Sequence, residues 1–255
     1  MANRSASRRP APGKPAEDTD LIVLRRFRAA KDLAPPTGGV LLDLGCGNGA
    51  QTMLFAGEFS IIVAADIIEE HLRVLRERTK RDGVADRIVP LLYDGHHLPV
   101  ATGSVDYAIS FEVLEHVEDE SRTLSELARV VKAGGVLVMT VPNRWWFFET
   151  HGADLPFLPW NRVPFFGWLP RRIHDRYARA RNYSRSELVS KVSSAGFNVS
   201  KTVYVTAPMD VVSLAPLRAA LRKTIFGDDT TAVPLLSTSI MVVGRRRPSG
   251  GPKRG

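Results

Sequence analysis

Apolar and polar positions recur along this chain with two periods, and the switches between the periods mark out its elements. Asp20 to Leu33 carries apolar residues at helical spacing and meets Pro35-Pro36, which predicts a first helix. Short apolar runs predict strands at Val40–Leu44, Ile61–Asp66, Ile88–Leu92, Val105–Ser110 and Val136–Val141. Between them, helical patterns cover Ala50–Glu58, Glu69–Arg81 and Ser121–Val131. In the last, Leu124, Leu127, Ala128 and Val131 share one face, and Gly134-Gly135 is expected to end the helix. Strands and helices alternating at these lengths predict an α/β fold: a Rossmann-like, doubly wound, mostly parallel sheet with its ligand crevice at the carboxyl ends of the strands.

The alternation breaks at Pro142 and resumes at Ser184, where Ser184-Arg185-Ser186-Glu187 has the form of a capping box opening a helix that ends at Gly196. Strands near Phe197–Val205 and Ser237–Val243, with a helix around Val211–Lys223 between them, complete the pattern. Residues 142–182 contain all four tryptophans, ten of the twenty aromatic residues, and prolines at 142, 156, 159, 164 and 170. Proline at that density rules out a long helix, so this segment is expected to be an aromatic-rich cap or lid inserted after the fifth strand. The expected organisation is a disordered tail at 1–19, one domain at 20–243 and a disordered basic tail at 244–255.

Composition narrows this picture. A chain of 255 residues with 44% hydrophobic and 24% charged residues can bury a sizeable core and is not a mainly disordered or multi-spanning protein. The single cysteine, Cys46, excludes an internal disulfide and a Cys-based zinc cage. No apolar run is long enough to span a bilayer, and the N-terminus lacks the apolar core of a secretory signal, so a cytoplasmic protein is expected. The net charge of +8 is unevenly spread: residues 1–19, 142–182 and 244–255 together carry +11, leaving the rest at −3. Basicity confined to tails and one insertion argues against a fold built around a duplex.

The strongest local signal is Val40-Leu41-Leu42-Asp43-Leu44-Gly45-Cys46-Gly47-Asn48-Gly49, an apolar strand running into an acid and three alternate glycines, where a backbone without Cβ atoms can turn sharply and approach a ligand. Asp66, with Ile67 beside it, ends the next strand 21 residues after Gly45, a place from which a carboxylate can accept both hydroxyls of a ribose. Asp94 in Tyr93-Asp94-Gly95 follows the third strand, where it can accept from an exocyclic amine. A nicotinamide dehydrogenase competes on the loop alone, since Ala50 stands where its third glycine would be.

These motifs, followed in order by Phe111-Glu112-Val113-Leu114-Glu115-His116-Val117, resemble those of the class I S-adenosylmethionine-dependent methyltransferases, in particular the group that includes the ubiquinone and menaquinone methyltransferases. The likeness covers about residues 38–142 and fades after Pro142. It implies S-adenosyl-L-methionine as cofactor. Gly45, Gly47 and Gly49 would hold its methionine part, Asp43 would lie near the ammonium, Asp66 would hold the ribose and Asp94 the adenine, with Ile67, Gly95 and Phe111 completing the site.

The sulfonium already makes the methyl electrophilic, so alignment is the protein's main task, and a general base is needed if the acceptor is a hydroxyl. His116 is the candidate catalytic base, with an orienting role as the alternative. Glu112, Glu115 and His116 also share one face of a helical turn, as in metal-using small-RNA methyltransferases. A further histidine would have to come from His151 or His174, so no metal site is assigned. His96 and His97 are expected to pack a loop, and Cys46 to pack behind the cofactor.

The cap suggests the acceptor. Trp145 and Trp146, directly after the fifth strand, are expected beside the transferable methyl, with Phe147, Phe148, Phe157, Phe165 and Phe166 extending an apolar wall. The expected acceptor is a small or lipophilic molecule methylated on oxygen or carbon. It would be approached at the inner face of a membrane, with Arg171, Arg172, Arg176, Arg179 and Arg181 toward anionic headgroups. A nucleic-acid methyltransferase and a non-catalytic cofactor-binding scaffold are the alternatives.

Overall fold

The computed structural model describes residue 17, residues 19–148 and residues 164–248. His151, Phe157 and Trp160 of the cap and the greater part of both tails lie outside the described residues.

Eight strands form one sheet in the order β3-β2-β1-β4-β5-β8-β6-β7. The strands β1 (Val40–Leu44), β2 (Ile61–Asp66), β3 (Ile88–Leu92), β4 (Val105–Phe111) and β5 (Val131–Pro142) pair in parallel. The last strand, β8 (Ser237–Arg246), lies antiparallel between β5 and β6 (Phe197–Thr206). A two-residue strand β7 (Thr230–Thr231) at the edge was not foreseen.

Helices cover both faces. On one, α1 (Leu21–Leu33), α2 (Ala50–Leu54) and α3 (Glu69–Arg81) bury Ala29, Ala30, Leu72 and Leu75 with Phe55 against Leu41, Ile62 and Tyr107 of the sheet. On the other, α4 (Glu120–Val130) and α6 (Arg185–Ser194) bury Leu124, Leu127, Leu188 and Val192 against Leu42, Leu137 and Val242. Strand alternation sorts β1 between these layers: Leu42 and Leu44 face the α4 side, while Leu41 faces the α1 side. The capping box forms as expected, with Ser184 Oγ accepting from the Glu187 N–H and the Glu187 carboxylate accepting from the Ser184 N–H at 2.8 Å.

Several boundaries move. Gly134-Gly135 does not end α4; the chain turns extended at Val131, and the glycines sit in an irregular stretch of β5 between the Val105–Val131 and Tyr107–Val136 pairs. The helix α2 stops at Leu54 and gives way to turns, which lets Phe55 and Phe59 both enter the core. Residues 244–246 belong to β8 rather than to a tail. Gly244 pairs with Leu137 and Val199 inside the sheet, and Arg246 donates to the carbonyls of Ala128 (2.6 Å) and Gly196 (3.1 Å). Two arginines counted as tail charge are thus strand residues.

The described part of the cap is irregular, as its prolines dictate. A 3-10 turn at Phe166–Trp168 leads into α5 (Arg171–Tyr177), and β6 is followed by α7 (Ala215–Lys223). Because β5 and β6 run in the same direction on either side of β8, the cap and the segment carrying α7 both leave the sheet at its carboxyl edge.

Candidate active site

At that edge a cavity of about 530 Å³ opens beside β1, β2 and β4. Gly45, Cys46, Gly47, Asp66, Ile67, Asp94, Gly95, Phe111 and His116 all line it. Of the residues expected at the cofactor, Asp43 and Gly49 stand behind the wall.

The glycine loop is shaped by two contacts. Gly45 has φ +75°, and a Cβ there would lie 2.3 Å from Val113 Cγ2, so the missing side chain makes room for the segment following β4. Gly49, at φ +85°, starts α2, and a Cβ on it would collide with Leu75 Cδ1 of α3. These glycines serve the fit of loop to protein as well as access for a ligand.

Asp66 anchors the loop from the neighbouring strand. Its Oδ2 accepts from the Gly47 N–H at 2.8 Å and its Oδ1 from the Ile68 N–H at 2.9 Å, while His71 Nδ1 stands 3.4 Å from Oδ1. The Gly47 N–H is thus already engaged by a carboxylate. Hydroxyl donors suit a carboxylate held in this way. Asp94 Oδ1 accepts from the backbone N–H groups of His97 and His96, both at 2.8 Å, and these bonds hold its carboxyl below the usual range. The histidines, expected to pack a loop, are both exposed: His97 Nδ1 lies 3.0 Å from Glu126 of α4, and His96 lines the cavity.

Asp43 is sealed beneath the loop, where its Oδ2 accepts from Thr52 Oγ1 at 2.6 Å. Burial pushes its carboxyl up to about 7, opposed by the Thr52 hydrogen bond and reinforced by the charge of Asp66. Its direct contact in this fold is therefore α2. Cys46 lines the cavity but is buried, and burial raises its thiol well above the ordinary value, which disfavours the thiolate a nucleophile needs.

The segment after β4 turns sharply because Glu112 adopts φ +57°, an uncommon value for a residue with a side chain. Glu112 then meets Arg26 of α1 at 3.3 Å. Glu115 is fully buried; burial, with the Glu112 charge nearby, keeps its carboxyl well above the ordinary range. His116 faces the cavity with its Nε2 3.9 Å from Glu115 Oε1. Among the described residues no group of three His, Cys, Asp or Glu side chains converges as a metal site. His174 is buried in the cap against Phe166 and Asn182, away from the cavity wall.

Some wall residues were not foreseen. Val23 and Arg26 of α1, Gln51 of α2 and His71 of α3 all line the cavity. His71 was within reach of the sequence, since it sits in the first turn of the helix after Asp66. No local pattern says that α1 closes the crevice.

The cap aromatics take other places. Trp146 is buried with Ala207 and Phe226 in a separate small cluster, and no described cap residue forms part of the cavity wall. The expected position of Trp145 and Trp146 beside the methyl is corrected accordingly. Trp145, Phe165 and Trp168 are exposed at the surface instead.

This arrangement of sheet, loop and strand-end carboxylates defines a class I methyltransferase fold, and comparison with known proteins agrees. Residues 42–139 match the family model Methyltransf_11, described as a methyltransferase domain. Residues 42–139 are thus a methyltransferase domain, and the fold around them is that of solved S-adenosylmethionine-dependent methyltransferases. A protein of Mycolicibacterium smegmatis named a probable S-adenosylmethionine-dependent methyltransferase is 28% identical over 168 residues, 66% of this chain and 55% of its own length. One of Mycobacterium tuberculosis with the same description is 32% identical over 149 residues, 58% of this chain and 52% of its own. The chain thus spans about half the length of these curated relatives.

Among solved structures, an S-adenosylmethionine-dependent methyltransferase from Aquifex aeolicus superposes with a TM-score of 0.59 at 15% identity, covering 89% of this chain and 93% of that one. A geranyl diphosphate methyltransferase in complex with S-adenosylmethionine also has a TM-score of 0.59 at 15% identity, covering 87% and 84%. The matches support the superfamily; the narrower quinone-methyltransferase likeness is one of motifs.

Proposed function

We propose that this chain binds S-adenosyl-L-methionine and transfers its methyl group to oxygen or carbon of a small or lipophilic acceptor. The observation that carries the reading is the convergence of Gly45, Gly47, Asp66 and Asp94 on one cavity, with His116 on its wall. The glycine loop would take the amino-acid end, Asp66 the ribose hydroxyls, and Asp94 the adenine beside Ile67. The bound sulfonium supplies an electrophilic methyl. The protein's own residues then have to exclude water, align the acceptor and, for a hydroxyl acceptor, take its proton, for which His116 is placed.

The lipophilic part of the reading rests on wall chemistry. Val23, Ile68, Val113 and Val117 add an apolar wall beside the residues assigned to the cofactor. The similar solved structure of a geranyl diphosphate methyltransferase supports a prenyl-bearing acceptor as one member of this class. Calorimetry with S-adenosylmethionine, its demethylated product and a nicotinamide dinucleotide tests the cofactor. Binding of the dinucleotide alone would overturn the reading. Incubation with methyl-labelled cofactor and either the organic or the aqueous fraction of a cell extract tests the acceptor; label confined to nucleic acid or to polar products would remove the lipophilic part.

A further inference from the structure

The segment between β6 and β8 presents an apolar stripe to solvent. No residue of α7 is buried. Leu214, Leu217 and Leu221 fall at i, i+3 and i+7 along the helix and its N-cap, and Ile225 lies in the turn that follows its C-cap. Leu221 alone turns inward, onto the cluster of Trp146, Ala207 and Phe226. Leu214 and Ile225 are 61% and 60% exposed, and Leu217 is exposed between them.

A second apolar surface grows from the same cluster. Phe147 packs against it and carries ring contacts outward to Phe165 at 5.6 Å and Trp168 at 5.9 Å, and Trp168 reaches Trp145 at 6.3 Å. The three outer rings are all exposed. Two apolar surfaces therefore flank one small core, both at the carboxyl edge of the sheet where the cavity lies.

The charges around them are mixed beside α7 and mainly basic on α5. Helix α7 carries Arg218, Arg222 and Lys223, but Arg222 is paired with Asp210 at 2.6 Å and Asp228 and Asp229 follow the helix, whereas α5, shortly after Trp168, carries Arg171, Arg172 and Arg176 against Asp175, with Arg171 paired to Glu187. Exposed Ile173 sits between Arg172 and Arg176, so apolar and basic side chains alternate on the outer face of α5. Exposed leucines and tryptophans fringed by arginine and lysine are the chemistry of a surface that lies in the headgroup region of a bilayer. A second copy of the chain would bring the same cations face to face. No helix among the described residues is long and apolar enough to cross a membrane, so contact is from one side.

We propose that α7 and the Trp145–Phe165–Trp168 surface dock this chain on an anionic lipid membrane. The inference builds on the lipophilic-acceptor reading only by giving the reaction a place, and its vesicle-binding readout needs neither cofactor nor acceptor. The full chain is sedimented with vesicles of phosphatidylcholine alone and of phosphatidylcholine mixed with phosphatidylglycerol. Binding to the anionic vesicles that weakens as salt rises is expected. Leu214→Glu with Leu217→Glu, and separately Trp145→Ala with Trp168→Ala, should each reduce binding about tenfold or more. Melting temperature and calorimetric binding of S-adenosylmethionine should stay unchanged, because these side chains are outside the core and the cavity. Three results would each overturn the proposal: no vesicle binding by the wild type, binding that both variant pairs leave intact, or self-association that the leucine variants abolish. A wild type that binds no vesicles yet methylates a lipophilic acceptor would sink the docking surface and leave the acceptor reading standing.

Discussion

Arg26 of α1 and Glu112 at the end of β4 meet at 3.3 Å on the cavity wall, and Arg26 also donates to Ser239 Oγ of β8 at 3.1 Å. One guanidinium thus joins the first helix, the segment bearing His116 and the last strand. Both partners are mostly buried, so the pair is shielded from solvent. Arg26→Met should lower stability by about 1–3 kcal/mol, because Glu112 would lose a charged partner in a partly dry place. In a urea-unfolding double-mutant cycle with Glu112→Gln, a clearly non-additive result is expected. Additivity would mean that the pair contributes nothing.

Next to it, Arg25 reaches the opposite way. It is fully buried and donates to the carbonyls of Thr206 (3.0 Å), Ala207 (2.7 Å) and Phe226. Arg25→Met would leave these carbonyls without that donor, and a loss of about 3 kcal/mol or more is expected. Unfolding curves for Arg25→Met and Arg28→Met separate this from general charge removal, since Arg28 is half exposed and should cost little.

Asp66 holds the Gly47 amide and is the acceptor proposed for the ribose. Asp66→Ala should weaken binding of both S-adenosylmethionine and its demethylated product by about a hundredfold, the scale of two hydrogen bonds to a charged group. His71→Ala should have a smaller effect in the same direction. Calorimetry reads both, and unchanged affinity in Asp66→Ala would remove the ribose assignment.

At Gly45 backbone and packing can be separated. Gly45→Ala suffers both the +75° φ and the collision with Val113, and is expected to cost about 1–3 kcal/mol. Adding Val113→Ala clears the space but leaves the φ, so only part of the loss should return. Full recovery of melting temperature in the double variant would show that the backbone conformation is not strained.

Asp43 makes stability depend on pH. Its carboxyl is raised from 3.8 to about 7, so the folded state keeps a proton that the unfolded state has already released. That favours folding at low pH, and the contribution is lost as pH rises through the window from 3.8 to about 7, by at most about 4 kcal/mol. Asp43→Asn keeps an oxygen for Thr52 and should flatten this part of the profile in urea unfolding. An unchanged slope would show that Asp43 is not the group responsible.

The order of strands and helices along the chain was legible because apolar period and glycine or proline stops are local properties. β1, β2 and β3 and the helix α3 run over the residues the pattern indicated. Strand-end position was equally local: Gly45, Gly47, Asp66, Asp94 and His116 reach one cavity because parallel strands deliver their carboxyl ends to one edge. Where a side chain looks next is not local. Asp43 is the last residue but one of β1 and alternation puts it on the face of Leu41, but that α2 closes this face, with Thr52 on the carboxylate, is decided by packing. Arg245 and Arg246 read as tail charge until β8 is inserted between β5 and β6, an antiparallel pairing across about a hundred residues of chain. The cap's aromatic composition was plain in the sequence, but composition has no direction. Trp146 is buried and Trp145 exposed because Ala207 and Phe226, distant in the chain, come together under one ring and not under the other.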